Sequence, residues 1–420
     1  MSEVDVMSSK PFHIVIVVAG DPAQTASLQV TQILEPAQQF VARGHEVTIL
    51  FAIPLLSFLK DLVFRMPRRK RFAEFCATSG IRFIYTVIPL GTMSPLSFVC
   101  KQPLLAWAAR RLAAGFPCRA GQSIVLHARS YYGTALAIEI RKLLSVGSPI
   151  VSFDMRSLFP DEFPLTMGHA GMLLYGYAKQ WEYELLNGAD VSFLPLEFAR
   201  TSIWMETGCP VRFAPIQGFD REAGWRIDFE RRWRERVVGF AGSLQPWNDP
   251  TLLKEMIARL PGCTAQLATR PVPELAPLKS CLIDPEDMPH YYDSLLALVV
   301  PGRTDSASGF VRKKMRCNFF STKATEALTR GVPLVVSSEL HELAEFVKRH
   351  HCGAVYDPRA SHFSFPDGDW LTDKSAWERM TNNAVAIGEK FTRAAVLDRY
   401  LETWQTLARR TEDPAVPGAG

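Results

Sequence analysis

The sequence predicts an α/β protein of two domains, each with a mostly parallel sheet covered by helices. Nearly uninterrupted apolar runs such as residues 13–19, HIVIVVA, are typical of parallel strands buried on both faces. These runs alternate with helical patterns, and the alternation begins again near residue 237. A chain of 420 residues also exceeds what one compact core usually holds. Together these observations favour two domains of the same class.

The first half opens with a strand, a turn, a helix and a second strand. The run at 13–19 is followed by a turn at 20–23, a helical pattern over 27–42 and a strand over 45–51. Further strands are predicted at 81–88, 123–127, 149–154 and 190–194, with a helix at 132–144. This β-loop-α-β start predicts a Rossmann-like domain. Its first loop lacks the G-x-G-x-x-G pattern, which argues against a standard dinucleotide site there.

The second half repeats the alternation after a turn at 215–220. A strand over 237–242, a helix over 251–260 and a strand over 296–301 follow in that order. We predict the domain borders at residues 11–218 for the first domain, 219–236 for an arginine-rich connection, 237–375 for the second domain and 376–410 for C-terminal helices. Apolar residues in those last helices predict that they pack on the body of the protein.

One segment of the second half combines charged residues with a buried strand. Lys323 and Glu326 are three residues apart, so both project from one helix face. Gly331 ends that helix, Pro333 follows, and residues 334–337, LVVS, continue as an apolar strand. A unit of this kind can hold a ligand rich in hydroxyls and phosphates beside a parallel sheet. A surface helix with an ion pair is the alternative that the residues leave open.

Composition excludes several classes of protein. The 47% hydrophobic and 21% charged residues are globular values, and the net charge of +4 does not demand nucleic acid. The eight cysteines are scattered, so we expect neither a disulfide framework nor a zinc site. Residues 1–10 lack the apolar core of a signal peptide, and the longest apolar run is too short to span a bilayer. We therefore expect a cytoplasmic protein.

Four further segments resemble the retaining GT-B glycosyltransferases of family 4, and the resemblance covers most of the chain. Residues 42–50, ARGHEVTIL, are similar to a strand of that family, and residues 215–220, PIQGFD, to the segment that closes its first domain. Residues 240–247, FAGSLQPW, resemble the start of its donor domain, and residues 287–292, DMPHYY, precede a strand as in the family. The resemblance implies a GT-B fold, in which two Rossmann-like domains face each other across a cleft.

The resemblance also assigns the donor site. Glu326 occupies the second glutamate of the family's E-x7-E pattern, whereas Asn318 stands where the first glutamate is expected. Glu345 resembles the glutamate that accepts hydrogen bonds from the ribose hydroxyls. Gly242 and Ser243 correspond to the diphosphate loop, although Ser243 and Asn248 replace its usual arginine and lysine. Positive charge for the leaving phosphate is therefore expected from Lys323 first, then from Arg303 and Arg270, for which solvated surface arginines are the alternative.

On the acceptor side, the resemblance points to residues that follow predicted strands of the first domain. His127 and Arg129 would orient the acceptor hydroxyl or the donor sugar, and Asp154 would bond to either. A core histidine and a structural pair of Asp154 with Arg156 are the alternatives. The implied chemistry is a sugar transfer with retention, with His127, Lys323 and Arg303 as the catalytic candidates. It needs no metal or cofactor and takes a UDP- or GDP-linked sugar as co-substrate.

An apolar stretch at 55–64, LLSFLKDLVF, is followed by a basic cluster at 65–71, RMPRRKR. This pairing suits a helix on an anionic membrane surface. The resemblance implies a hydroxyl acceptor that is lipid-linked, as in bacterial polysaccharide or glycoconjugate assembly. A core helix with a solvated basic loop is the alternative. The separate basic segment 312–316 weakens the membrane interpretation, because basic clusters are not confined to residues 65–71. A nucleotide-sugar epimerase and a non-catalytic subunit of the same fold are the rival functions.

Overall fold

The computed structural model describes most of the chain. The described residues are 11–21, 23, 29–64, 68–89, 95–117, 119, 121–145, 148–195, 197–244, 248–303, 309, 321–365 and 370–412. Asn318, the basic segment 312–316 and residues 245–247 of the FAGSLQPW segment lie outside them. So do residues 65–67 of the basic cluster.

Seven strands form the first sheet, in the order β3-β2-β1-β4-β5-β6-β7. Its strands are β1 His13–Ala19, β2 Glu46–Pro54, β3 Arg82–Ile88, β4 Ile124–Arg129, β5 Ile150–Asp154, β6 Val191–Leu194 and β7 Arg212–Phe213. β1 to β6 run parallel. Every residue of β1 is buried, as its apolar sequence predicts. The predicted strands of the first half are thereby confirmed to within a few residues.

Helices join these strands. They are α1 Glu35–Ala42, which continues a π-helical turn at Val30–Leu34, α2 Leu55–Val63, α3 Arg68–Thr78, α4 Pro95–Val99, α5 Lys101–Gly115, α6 Ser130–Leu143, α7 Phe159–Gly188 and α8 Glu197–Thr207. Gly133 lets α6 approach β1 closely, since a Cβ there would lie 2.7 Å from the Val17 carbonyl oxygen. The long helix α7 consists of two helices joined at Gly168, whose φ is 55°.

The second sheet also has seven strands, in the order β10-β9-β8-β11-β12-β13-β14. They are β8 Val237–Ala241, β9 Thr264–Ala268, β10 Ser280–Cys281, β11 Ala297–Val300, β12 Leu334–Ser337, β13 Gly353–Asp357 and β14 His362–Ser364. β14 pairs antiparallel with β13, and the other pairs are parallel. The helices in this half of the sequence are α9 Phe229–Glu235, α10 Pro250–Ala258, α11 Met288–Asp293, α12 Thr322–Thr329, α13 His341–His350, α14 Lys374–Gly388 and α15 Arg393–Glu412. The predicted second series of alternating strands and helices is thereby confirmed.

The chain divides into two compact units. The first comprises the described parts of 1–193, 207–212 and 397–420, and the second comprises 194–206 and 213–396. Residues 219–236, predicted as a connection, are bonded within the second unit. Arg221 donates to the carbonyl oxygens of Thr329 and Val385, and the buried Arg232 donates to that of Gly331. These bonds satisfy carbonyl groups at the end of α12 and in α14.

The two C-terminal helices belong to different units. α14 lies in the second unit, whereas most of α15 lies in the first. The apolar residues predicted to pack are all buried, namely Met380, Ala384, Phe391, Leu397, Tyr400 and Trp404. Within the first unit, Trp404 contacts the rings of Phe40 and His127. The prediction that these helices pack on the body of the protein is confirmed.

Candidate functional site

The predicted donor residues gather at the carboxyl edge of the second sheet. Gly242 and Ser243 follow β8, Arg303 comes three residues after β11, and Lys323 is in the first turn of α12. A backbone bond of 3.0 Å from the Asp249 amide to the Gly302 carbonyl joins the loops after β8 and β11. Parallel strands end together at such an edge, where α/β sheets bind their ligands.

Lys323 lies against the turn that ends β8. Its Nζ atom is 4.4 Å from the centre of the Phe240 ring, and a Cβ on Gly242 would lie 3.9 Å from the same atom. Gly242 has a φ of +98°, a conformation that favours glycine. Within the described part of the chain, Lys323 forms no ion pair with a carboxylate. Burial lowers the pKa of its ammonium to about 8, because the charged form loses hydration there.

Glu326 lies one turn further along α12 and is nearly inaccessible to solvent. Its Oε2 atom accepts a 2.9 Å hydrogen bond from the hydroxyl of Tyr292, which is itself fully buried on α11. Burial and the nearby carboxylate charge raise the pKa of Tyr292 well above its ordinary value, so the phenol keeps its proton. This bond fixes the Glu326 side chain. Residues 287–292 resemble a family segment, but nothing in their sequence specifies this contact.

Glu345 differs from Lys323 and Glu326 in being exposed to solvent. It lies in the middle of α13, exposed to solvent, and forms an ion pair of 3.0 Å with Lys348 one turn away. Glu342 lies in the first turn of the same helix, nearer the end of β12, and is half-buried. A carboxylate in that turn also interacts favourably with the helix dipole. Its position just after a buried strand was the signal in the sequence that could have identified Glu342.

The loop after β8 is described only in part. Ser243 is exposed, and its carbonyl oxygen accepts a 3.3 Å bond from the side-chain amide of the buried Asn248. Asp249 caps α10 by accepting from the backbone amide of Thr251. Arg303 is half-buried. The loop therefore has neutral polar groups at the two positions where the family has cations.

In the first unit, His127 is enclosed by other side chains at the end of β4. Its Nδ1 lies 3.2 Å from the Ser152 hydroxyl and its Nε2 lies 3.9 Å from an Asp154 carboxylate oxygen. The rings of Tyr400 and Trp404 lie at centroid distances of 4.8 and 5.2 Å. Burial lowers the pKa of His127 to about 4, against the opposing effect of Asp154. This environment favours the core-histidine interpretation.

Both arginines near His127 are paired with acceptors. Arg129 ends β4 and donates at 2.7 Å to the Asp21 carboxylate and at 2.7 Å to the Gln32 amide oxygen. Asp154 ends β5 and lies 2.6 Å from Nε of Arg156, so the structural pair considered as an alternative is present. Arg129 and Asp154 are aligned in the parallel register of β4 and β5. The acceptor-side residues thus lie together with balanced charges.

Among the described residues, no group of three or more histidine, cysteine, aspartate or glutamate side chains is arranged to hold a metal ion. In the same part of the chain, no helix is both long and apolar enough to cross a membrane. The six described cysteines are free.

Comparison with known proteins identifies the fold. No protein-family model matches the sequence, and no curated protein does. Sucrose-phosphate synthase from Thermosynechococcus elongatus has a TM-score of 0.64 at 16% identity, covering 96% of this chain and 100% of its own. HepE from Anabaena, in complex with UDP and glucose, has a TM-score of 0.58 at 13% identity, and the match covers 93% of this chain and 99% of HepE. A Listeria monocytogenes protein described as a UDP-N-acetylglucosamine 2-epimerase has a TM-score of 0.51 at 13% identity. That match covers 97% of this chain and 98% of the Listeria protein. The chain has the GT-B fold of the glycosyltransferases among these structures.

Proposed function

We propose that this protein transfers a sugar from a nucleotide sugar to a hydroxyl acceptor. The observation that carries the proposal is the half-buried Lys323, whose ammonium lies beside the glycine turn after β8 with no carboxylate paired to it among the described residues. A partly desolvated cation without a counterion is unfavourable, and a diphosphate would supply the missing negative charge. HepE was solved with UDP and glucose, which makes UDP the first nucleotide to test.

In the proposed reaction, the bond between C1 of the sugar and the leaving phosphate oxygen breaks while C1 bonds to the acceptor oxygen. Lys323 stabilises the negative charge that develops on the leaving phosphate, and Arg303 adds a second positive charge. The acceptor proton passes to that phosphate on the same face of the sugar. Retention and independence from metal are the properties that the sequence resemblance implies.

The other residues bind and orient in this proposal. Gly242 and Ser243 border the diphosphate, and Glu326, held by Tyr292, accepts hydrogen bonds from donor hydroxyls. Arg129 and Asp154 orient the acceptor hydroxyl, which we propose belongs to a lipid-linked intermediate of bacterial polysaccharide or glycoconjugate assembly. His127 is uncharged near neutral pH because its pKa is about 4, so its contribution is limited to neutral hydrogen bonds.

A thermal-shift panel with UDP, GDP, ADP and their sugars tests the donor site. A ligand that binds the folded state at about one hundred times its Kd stabilises the protein by about 2.7 kcal/mol and raises the Tm. We expect one nucleotide to raise the Tm of the wild type, and Lys323→Met to reduce that rise by about half or more at the same nucleotide concentration. Lys279→Met, at an exposed lysine of the same unit, is the matched control. The absence of a shift with every nucleotide would favour the non-catalytic subunit.

An epimerase is the second candidate, because the Listeria monocytogenes protein has a similar fold. The two reactions differ in their products. Incubation with UDP-N-acetylglucosamine, followed by proton NMR, shows either an epimerised sugar still attached to UDP or UDP released to an acceptor or water. Accumulation of the attached epimer would exclude transfer as the main activity.

A further inference from the structure

Two turns beside the acceptor-side residues have an uncommon backbone conformation. Ser130, which follows Arg129 at the end of β4, has a φ of 66°, and Arg156, two residues after the end of β5, has a φ of 55°. Residues with a side chain rarely adopt positive φ, because the Cβ atom crowds the backbone. At Arg156 the chain closes a three-residue turn, in which the Ser157 amide donates at 2.5 Å to the Met155 carbonyl oxygen. Such conformations persist only where the surrounding structure holds them.

One phenol links the two turns. Tyr131, the residue after Ser130, is fully buried, and its ring centre lies 5.2 Å from that of Phe153 in β5. Its hydroxyl donates at 2.5 Å to Oε2 of Glu182 and lies 3.4 Å from the Ser157 carbonyl oxygen. A phenol has a single proton, so the bond to Glu182 is the stronger of the two contacts. The phenol of the first turn is therefore anchored to α7 and lies against the second turn.

Glu182, the anchor, lies in the second half of α7 and is fully buried. Burial raises the pKa of this carboxyl, against the opposing effect of Lys179, which forms an ion pair with it from one turn earlier. A buried ion pair often contributes little net stability, and an apolar side chain of similar volume can replace it without loss. In some proteins such groups instead specify one geometry of the structure around them.

We propose that Tyr131 and Glu182 are positioning residues for the acceptor hydroxyl. By holding both turns, the pair fixes the ends of β4 and β5, where Arg129 and Asp154 are aligned in register. The second turn also returns Arg156 to Asp154, with Nε 2.6 Å from the carboxylate. The inference rests on the proposed function, in which Arg129 and Asp154 orient the acceptor. Tyr131 and Glu182 act through these neighbours rather than on the substrate.

Hydrogen exchange of the full chain, followed by mass spectrometry, tests whether the pair holds both turns. In Tyr131→Phe, which lacks the phenol proton, the peptide over residues 153–158 should exchange at least about tenfold faster, although the substitution lies outside it. Tyr132→Phe is the matched control, because Tyr132 is also buried on α6 and its hydroxyl has no hydrogen-bond partner among the described residues. In the control, the same peptide should exchange at the wild-type rate.

Equal exchange of this peptide in the two variants would overturn the proposal. If Tyr131→Phe does not fold, Glu182→Leu gives the same comparison, since it removes the acceptor of the phenol proton and keeps a side chain of similar volume. The measurement needs no ligand. If no nucleotide raises the Tm of the wild type, the proposed function fails, and the exchange comparison still decides whether the pair holds the turns.

Kinetics separates positioning from stability. The reaction is the release of nucleotide to water, the smallest hydroxyl acceptor, from a nucleotide sugar that raises the Tm. Tyr131→Phe should lower kcat about tenfold and leave the KM for the nucleotide sugar within about twofold, because the proposed donor residues lie in the second unit. Adding Ser130→Gly should restore most of kcat, since glycine adopts positive φ without strain. A kcat equal to that of Tyr132→Phe, or one that the added glycine does not raise, would contradict a positioning role.

Discussion

The carboxyl edges of the two sheets differ in how their cations are balanced. In the first unit, Arg129 is bonded to Asp21 and Arg156 to Asp154, and His127 between them is uncharged near neutral pH. In the second unit, Lys323 is packed against an aromatic ring without a paired carboxylate in the described residues. The proposed function assigns the balancing charge to a bound diphosphate.

This contrast indicates two kinds of ligand. Paired arginines and carboxylates already satisfy one another, so they offer directional hydrogen bonds to a neutral group such as a hydroxyl. An ammonium that has lost hydration without gaining a counterion has more to gain from an anion. Under the proposed function, the first edge holds the acceptor and the second the diphosphate.

The largest expected effect concerns stability against pH. Burial lowers the pKa of both groups, from 6.5 to about 4 for His127 and from 10.5 to about 8 for Lys323. Between each pair of values the unfolded state holds the proton and the folded state does not, so the free energy of unfolding rises with pH. We expect a rise of up to about 3 kcal/mol in each window.

Urea unfolding across both windows checks this expectation. His127→Gln should reduce the rise between about pH 4 and 6.5 while leaving the upper one unchanged. Lys323→Met should reduce only the upper rise, to which Lys101 also contributes because burial lowers its pKa to about 8. Unchanged slopes in both variants would show that neither group is as strongly desolvated as its surroundings indicate.

Loss of the Lys323 charge should weaken donor binding by roughly 10- to 100-fold, the size expected for a charged hydrogen bond. Titration calorimetry of Lys323→Met with UDP at pH 7 measures this change, with Lys279→Met as the control. The unliganded variant should be at least as stable as the wild type, since an unbalanced buried charge has been removed. If the affinity of Lys323→Met for UDP is within twofold of the wild-type value, Lys323 does not contact the bound nucleotide.

Much of the fold follows from local sequence, but the site follows from contacts between distant residues. Apolar runs such as β1 and the strand at Leu334–Ser337 are encoded where they occur, so their positions could be predicted. The bond between Tyr292 and Glu326 joins residues 34 apart, and the Lys323–Phe240 contact is longer still in sequence. No local pattern specifies such partners.

The long helix α7 shows a second limit. Pro164 and Gly168 interrupt its helical pattern, and we predicted no helix there. The structure accommodates both residues by joining two helices at Gly168, and a buried Gly171 lets the second helix pass close to the Phe163 carbonyl of the first. Tertiary packing, rather than local propensity, sets this element.

A smaller effect should separate two adjacent tyrosines of α11. Tyr292→Phe removes the donor that holds Glu326, whereas Tyr291→Phe removes a hydroxyl that contacts the carbonyl oxygens of Phe240 and Gln266 at 3.0 and 2.8 Å. Each change should lower the free energy of unfolding by about 1–2 kcal/mol. Only Tyr292→Phe should also weaken nucleotide binding, by several-fold, because the freed carboxylate can turn away. Equal affinities in the two variants would assign Glu326 a purely structural role.

The smallest effect sharpens the choice between two carboxylates of α13 for the ribose. Glu345, predicted from the resemblance, is exposed and paired with Lys348, and an exposed pair of this kind contributes about 0.2–1 kcal/mol. Glu342 lies one turn closer to the sheet edge and is half-buried. We therefore expect Glu342→Gln to weaken UDP binding by a few-fold and Glu345→Gln to leave it within about twofold, because a solvated carboxylate gives up water for each hydroxyl it binds. Replacing UDP by 2′-deoxy-UDP removes one of the ribose hydroxyls. This replacement should lower the affinity of Glu342→Gln less than it lowers the affinity of the wild type. If Glu345→Gln weakens UDP binding more than Glu342→Gln does, Glu345 is the residue that contacts the ribose.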